Sequence, residues 1–209
     1  MTRIKFCGLR TLDDIAAANQ LLPEYVGFVF APKSKRRVTV DTAEKLRASL
    51  STKIQAVGVF VNENFQTVGE LLNAGIIDAA QLHGDETEDY IRNLRTVTDK
   101  PIIKAFRVDK LADTSADFVL IDAGAGDGRT FDWRLLTNFK REFFLAGGLT
   151  VDNVAEAIEL LQPFAVDVSS GIETDGRKDF DKMNAFARAV RNGTNLSLVP
   201  SPLSLRRFL

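Results

Sequence analysis

At 209 residues, with 45% hydrophobic and 26% charged side chains and a formal net charge of −1, the chain has the make-up of one large soluble domain or two small ones. That balance gives no electrostatic reason to expect a nucleic-acid or membrane partner, and no run of ~18 apolar residues exists to span a bilayer. A single cysteine and a single histidine exclude an internal disulfide and a zinc site built from nitrogen and sulfur ligands, and the early entry into a strand leaves no room for a signal peptide, so a cytoplasmic protein without a transition metal is expected.

In chain order, the first apolar strand spans residues 4–7 and ends in the lone cysteine, Cys7, with Gly8 behind it. "TLDDIAAANQLL" follows, with Thr11 as N-cap, Asp13 and Asp14 in the first turn, and a stop before Pro23. Further doubly buried strands are predicted at 25–30, 54–61, 79–82, 102–106, 118–121, 143–146 and 165–168. Amphipathic helices are predicted at 41–50, 64–73, 87–95 and 179–191, and "TVDNVAEAIELL" repeats the first helix's grammar from Thr150. After the fifth and sixth strands, "DKLADTS" and "WRLLTNF" suit only a turn or two.

Eight strands alternating with helices predict a parallel sheet, and eight is the count of a closed (β/α)8 TIM barrel, which takes ~200–250 residues. An open doubly wound sheet, with five or six strands, is the alternative. A single barrel domain over residues 1–192 is expected, followed by a proline-containing tail, 193–209, whose role the sequence leaves open.

In such barrels the reacting groups lie at the C-terminal strand ends. These ends carry Cys7, the basic run "KSKRR" after strand two, Gln81 and His83 at strand four, Asp122 before the glycine-rich "AGAGDGR", "AGGL" after strand seven, and Asp167 before "SSG" after strand eight. Gly147 and Gly148 with Ser169, Ser170 and Gly171 fall at the fold's usual phosphate positions, where amide and hydroxyl donors meet an anion. One guanidinium of the basic run can grip a carboxylate in two-point fashion. Asp122, partly shielded from water, suits a general acid. Cys7 beside cations can ionise and act as a base, or be a nucleophile with His83 as its base, or simply fill the core. Lys104 and Asp167 read as an interior pair, with Asp167 also kept among the substrate-binding candidates.

The segments "IKFCGLR", "VGFVFAPKSKRRV", "VGVFVN", "QLHGDE", "IKAF", "LIDAGAGDGRTFDW", "LAGGLTVDNV" and "PFAVDVSSGIETDGRKD", in this order, resemble the phosphoribosylanthranilate isomerases of tryptophan biosynthesis over about residues 2–191. The resemblance implies an Amadori rearrangement of N-(5-phosphoribosyl)anthranilate, with no metal or organic cofactor, in a monomer or homodimer. By the family pattern Cys7 is the general base, Asp122 the general acid, and Arg36 the holder of the anthranilate carboxylate. Gly147, Gly148, Ser170 and Gly171 match the phosphate site, and His83 falls on a motif without a firm step. Ala125 departs from the pattern, standing where many relatives carry glycine. Rival readings are the histidine-pathway aminoaldose isomerase or a bifunctional relative, which use a carboxylate where Cys7 stands, and a barrel that binds a phosphometabolite without turning it over.

Overall fold

The computed structural model, which describes residues 1–122 and 131–196, closes eight parallel strands into a barrel in chain order. They are β1 (Arg3–Cys7), β2 (Tyr25–Val29), β3 (Gln55–Phe60), β4 (Ala79–Leu82), β5 (Ile102–Arg107), β6 (Phe118–Asp122), β7 (Phe143–Leu145) and β8 (Ala165–Val168). Closure is made by β8 pairing with β1, with Asp167 in register with Lys5, which removes the open-sheet alternative. The loop 123–130, with its "AGAGDGR" and Ala125, and the tail 197–209 lie outside the described residues.

Each strand alternates between a face toward the helices and a face toward the barrel axis. On β1, Ile4 and Phe6 join the shell under the helices, so Lys5 and Cys7 point inward. Val57, Ile103, Leu120, Phe144 and Ala165 fill the lower interior, where the Phe144 ring meets Tyr25 and Phe118 edge-on at centroid distances of 5.4 and 5.8 Å. Phe144 is fully buried, and its truncation to alanine would cost ~3–5 kcal/mol. With this end filled, the inward-facing polar groups gather toward the C-terminal ends of the strands.

The helices follow their caps. Thr11 and Asp14 form a reciprocal capping box on α1 (Leu12–Leu21), and Thr39, Asn64 and Thr87 cap α2 (Val40–Ser49), α3 (Phe65–Asn73) and α4 (Glu88–Arg95). α1 and α5 (Val154–Leu161) both end on a left-handed residue, Leu22 and Gln162, directly before a proline. Helix α5 starts later than the Thr150 cap predicted. The Asn153 side chain turns back instead, accepting from Thr150 N at 2.8 Å and donating to the Gly148 carbonyl at 2.9 Å. Among the described residues after β5 and β6 there are only 3-10 turns, Val108–Lys110 and Trp133–Leu136, as the weak periodicity there implied. α6 (Phe180–Leu196) runs on past residue 192, because Gly193 is not a stop signal but the point where this helix lies close over Ala155 of α5. A short hairpin that the sequence reading did not foresee, β9 (Glu173–Thr174) and β10 (Arg177–Lys178), folds back beside β8. Among the described residues no helix is long and apolar enough to cross a membrane.

Candidate active site

A cavity of about 500 Å³ opens at the C-terminal end of the barrel, and Cys7, Arg36, His83, Asp122, Gly147, Gly148, Asp167 and Ser170 all line it. Gly171 does not. It packs against the loop after β7, where a Cβ would collide with the Leu149 carbonyl oxygen, and so ties the two glycine-rich loops together. Gly147 and Gly148 hold φ of 90° and 64°, a conformation that side chains resist, and turn this loop past the cavity.

Cys7 sits at the end of β1 with its sulfur over Gly27, the residue paired with it on β2, and with Val29, Ala31 and Val59 around it. Its thiol was expected to be lowered by cations. Burial instead pushes it above the ordinary range; Lys5 and Lys178 pull against this, and Asp167 adds to it. Directly below, the Lys5 ammonium donates to Asp167 Oδ1 at 3.0 Å. Thus Asp167 is an interior ion-pair partner, but of Lys5. The predicted pairing with Lys104 does not form. Lys104 lies between inward-facing Ile103 and Ala105, so it points out of the barrel and meets Glu86 at 2.8 Å.

The Arg36 fork is engaged by Glu173, with Nε–Oε1 at 2.6 Å and Nη2–Oε2 at 2.8 Å. Lys178 donates to the same carboxylate at 2.8 Å and to the Ser169 carbonyl at 2.9 Å. Burial alone would raise the Glu173 carboxyl; the bonds from Arg36 and Lys178 outweigh it and hold the group at about 2. Burial pushes the Lys178 ammonium down from its ordinary value, against the pull of Glu173. Arg36 was expected to grip a substrate carboxylate in two-point fashion; its Nε and Nη2 are both taken by Glu173, while the side chain lines the cavity. Ser169 donates to the Cys7 carbonyl at 3.0 Å, so the hydroxyl predicted for an anion fixes β1 against β8.

Across the barrel, Asp122 ends β6 and lies 3.5 Å from His83 Nε2, a spacing that acid–base pairs without substrate commonly show. Gln81 Nε2 meets His83 Nδ1 at 2.8 Å, which leaves Nε2 as the ring nitrogen facing Asp122. His83 therefore belongs with the carboxyl group. Among the described residues the charged groups acting on Cys7 are Lys5, Asp167, Lys178 and Arg36, which disfavours a Cys7–His83 nucleophile pair.

Lys5, Glu173 and Lys178 were missed in the sequence. Alternation along "RIKFC" was signal enough for Lys5, and "TDGRK" carries the Asp-Gly turn of a hairpin, with Asp175 and Gly176 at φ of 51° and 73°.

A family model described as N-(5'-phosphoribosyl)anthranilate isomerase matches residues 4–189. The chain belongs to the phosphoribosylanthranilate isomerase family. The phosphoribosylanthranilate isomerase of Endomicrobium trichonymphae is 45% identical over 200 residues, covering 92% of this chain and all of that protein. The crystal structure of the Thermus thermophilus isomerase superposes with a TM-score of 0.82 at 30% identity, covering 91% of this chain and 99% of the other. A further phosphoribosylanthranilate isomerase, solved in complex with reduced 1-(o-carboxyphenylamino)-1-deoxyribulose 5-phosphate, matches with a TM-score of 0.79 at 32% identity over 92% of this chain and all of the other.

Proposed function

We propose that the chain converts N-(5-phosphoribosyl)anthranilate to 1-(2-carboxyphenylamino)-1-deoxyribulose 5-phosphate by an Amadori rearrangement, a step of tryptophan biosynthesis, with Asp122 as general acid and Cys7 as general base. The observation that carries this reading is one cavity with a thiol from β1 on one side and a carboxyl group from β6 on the other. An acid and a base on separate walls are what this chemistry needs, because the ring oxygen and the C2 proton lie on different parts of the sugar.

Asp122 protonates the furanose ring oxygen as the ring opens to an iminium, with His83 orienting the carboxyl group. The cationic nitrogen acidifies C2–H, and the Cys7 thiolate takes that proton to leave an enolamine. Ketonisation moves the enol proton to C1. The thiol then releases a proton and the Asp122 carboxylate regains one, which closes the cycle. The substrate's own nitrogen is the electron sink, so the steps require no cofactor.

The loops at Gly147–Gly148 and Ser170 hold the phosphate, and Arg36 holds the anthranilate carboxylate. Fixing the substrate at both ends supplies positioning, which in such reactions removes several kcal/mol of barrier. Substrate generated in situ tests the reading through loss of its fluorescence when the protein is added. Binding of phosphorylated ligand without that loss would instead favour a non-catalytic barrel.

A further inference from the structure

We propose that Lys5 is a positioning residue of the reaction: its ammonium, anchored by Asp167 inside the barrel, is the standing counter-charge of the Cys7 thiolate. This rests on the reading of Cys7 as the base and extends it to the group that makes the base available.

Three observations carry the inference. Lys5 is wholly enclosed, on a level of the barrel interior that this fold normally fills with branched aliphatic side chains. A buried ion pair is a poor source of stability compared with apolar packing, so a charge held there calls for a use. The use is adjacent: Lys5 and Cys7 face the axis from the same strand, two positions apart, with the ammonium held in place by Asp167.

The charged groups facing Cys7 are Lys5, Asp167, Lys178 and Arg36. Lys178 and Arg36 are both tied to Glu173, and Lys178 to Ser169 besides. Lys5 is the cation on the same inward face of β1 as Cys7, two positions away, and its pull on the thiol exceeds that of Lys178. Its partner has a purpose too. An unopposed ammonium would hold the thiolate so firmly that it became a weak base, and Asp167 keeps the balance. When Cys7 takes the C2 proton, Lys5 keeps its own, and the Lys5–Asp167 pair remains neutral as a unit.

Cys7 is the sole cysteine of the chain, so thiolate absorbance and the rate of alkylation by iodoacetamide against pH report this group alone. Lys5→Met is expected to move the thiol midpoint up by at least about one unit, a roughly tenfold loss of thiolate at fixed pH. Its kcat should fall in step, recover as pH is raised, and leave KM within a few fold; Lys5→Arg should restore most of the loss. Asp167→Asn should move the midpoint the opposite way, downward. A folded Lys5→Met with an unchanged midpoint overturns the proposal. If that variant does not fold, an Asp167→Asn midpoint that stays put or rises overturns it equally. Full turnover by Cys7→Ala would instead remove the base reading itself, whatever the Lys5 variants do.

Discussion

Arg36 and Glu173, far apart in sequence, meet along one edge of the guanidinium, through contacts of 2.6 and 2.8 Å. The pair fixes the plane of a guanidinium whose side chain lines the cavity. Charge-assisted bonds of this kind contribute ~1.5–3 kcal/mol each. Arg36→Ala should therefore raise KM for the anthranilate substrate by about 10- to 100-fold with a smaller change in kcat. Glu173→Gln keeps Arg36 but loosens its plane, and should raise KM by only a few fold. Steady-state kinetics on both variants check the order; an Arg36→Ala enzyme with the parent's KM would remove the carboxylate grip.

The two proposed proton-transfer groups should separate kinetically from the binding groups. Cys7→Ala is expected to lose nearly all turnover while binding a product analogue within a few fold of the parent. Asp122→Asn should lower kcat by at least ~100-fold, the scale of lost general acid catalysis. Single-turnover measurements would place the Asp122→Asn defect at ring opening. With Cys7 proposed to act as the thiolate, and with burial raising its pKa, kcat/KM should carry a Cys7 limb that rises with pH and extends above neutrality. A profile with no such limb would count against the thiolate.

Acid stability should depend on Glu173. Its folded value is about 2 against 4.5 for an ordinary glutamate. A depressed carboxyl stabilises the fold fully above the unfolded value, and that contribution fades as pH falls toward the folded one. Denaturant midpoints measured down the pH scale should fall more steeply between 4.5 and 2 in the parent than in Glu173→Gln. Parallel curves would mean the carboxylate and its two cations contribute nothing net.

The barrel was legible because doubly buried strands advertise themselves as apolar runs, and caps such as Thr11 and Thr87 state where helices begin. Cys7, Asp122 and the glycine loops could be placed because strand ends converge in this fold whatever the intervening sequence. The partners could not be. Asp167 reads equally well beside Lys104 or Lys5 until the inward face of each strand is assigned, and the alternation of Ile103, Lys104 and Ala105 decides against Lys104. Glu173 and Lys178 act only after a two-residue turn folds their hairpin onto β8, a tertiary event with a faint local signature. His83 shows the same limit, since the sequence offered it as a base for Cys7 and only the closed ring brings it to Asp122.

Two substitutions of glycine by alanine should give opposite kinetic signatures. A Cβ at Gly27 would lie 2.7 Å from the Cys7 sulfur, so Gly27→Ala must displace the thiol. At Gly171 a Cβ would strike the Leu149 carbonyl, a backbone atom that cannot swing aside, and the two loops proposed to hold the phosphate would separate. Gly27→Ala should thus lower kcat by about 100-fold or more at nearly constant KM, since ~1 Å of misplacement at a reacting group costs that much. Gly171→Ala should raise KM, weaken inhibition by inorganic phosphate and lower thermal stability. Steady-state kinetics with phosphate as competitive inhibitor distinguish the two. Equal effects on kcat and KM in both variants would mean that these glycines serve packing alone, and that neither the thiol nor the anion loops depend on them for position.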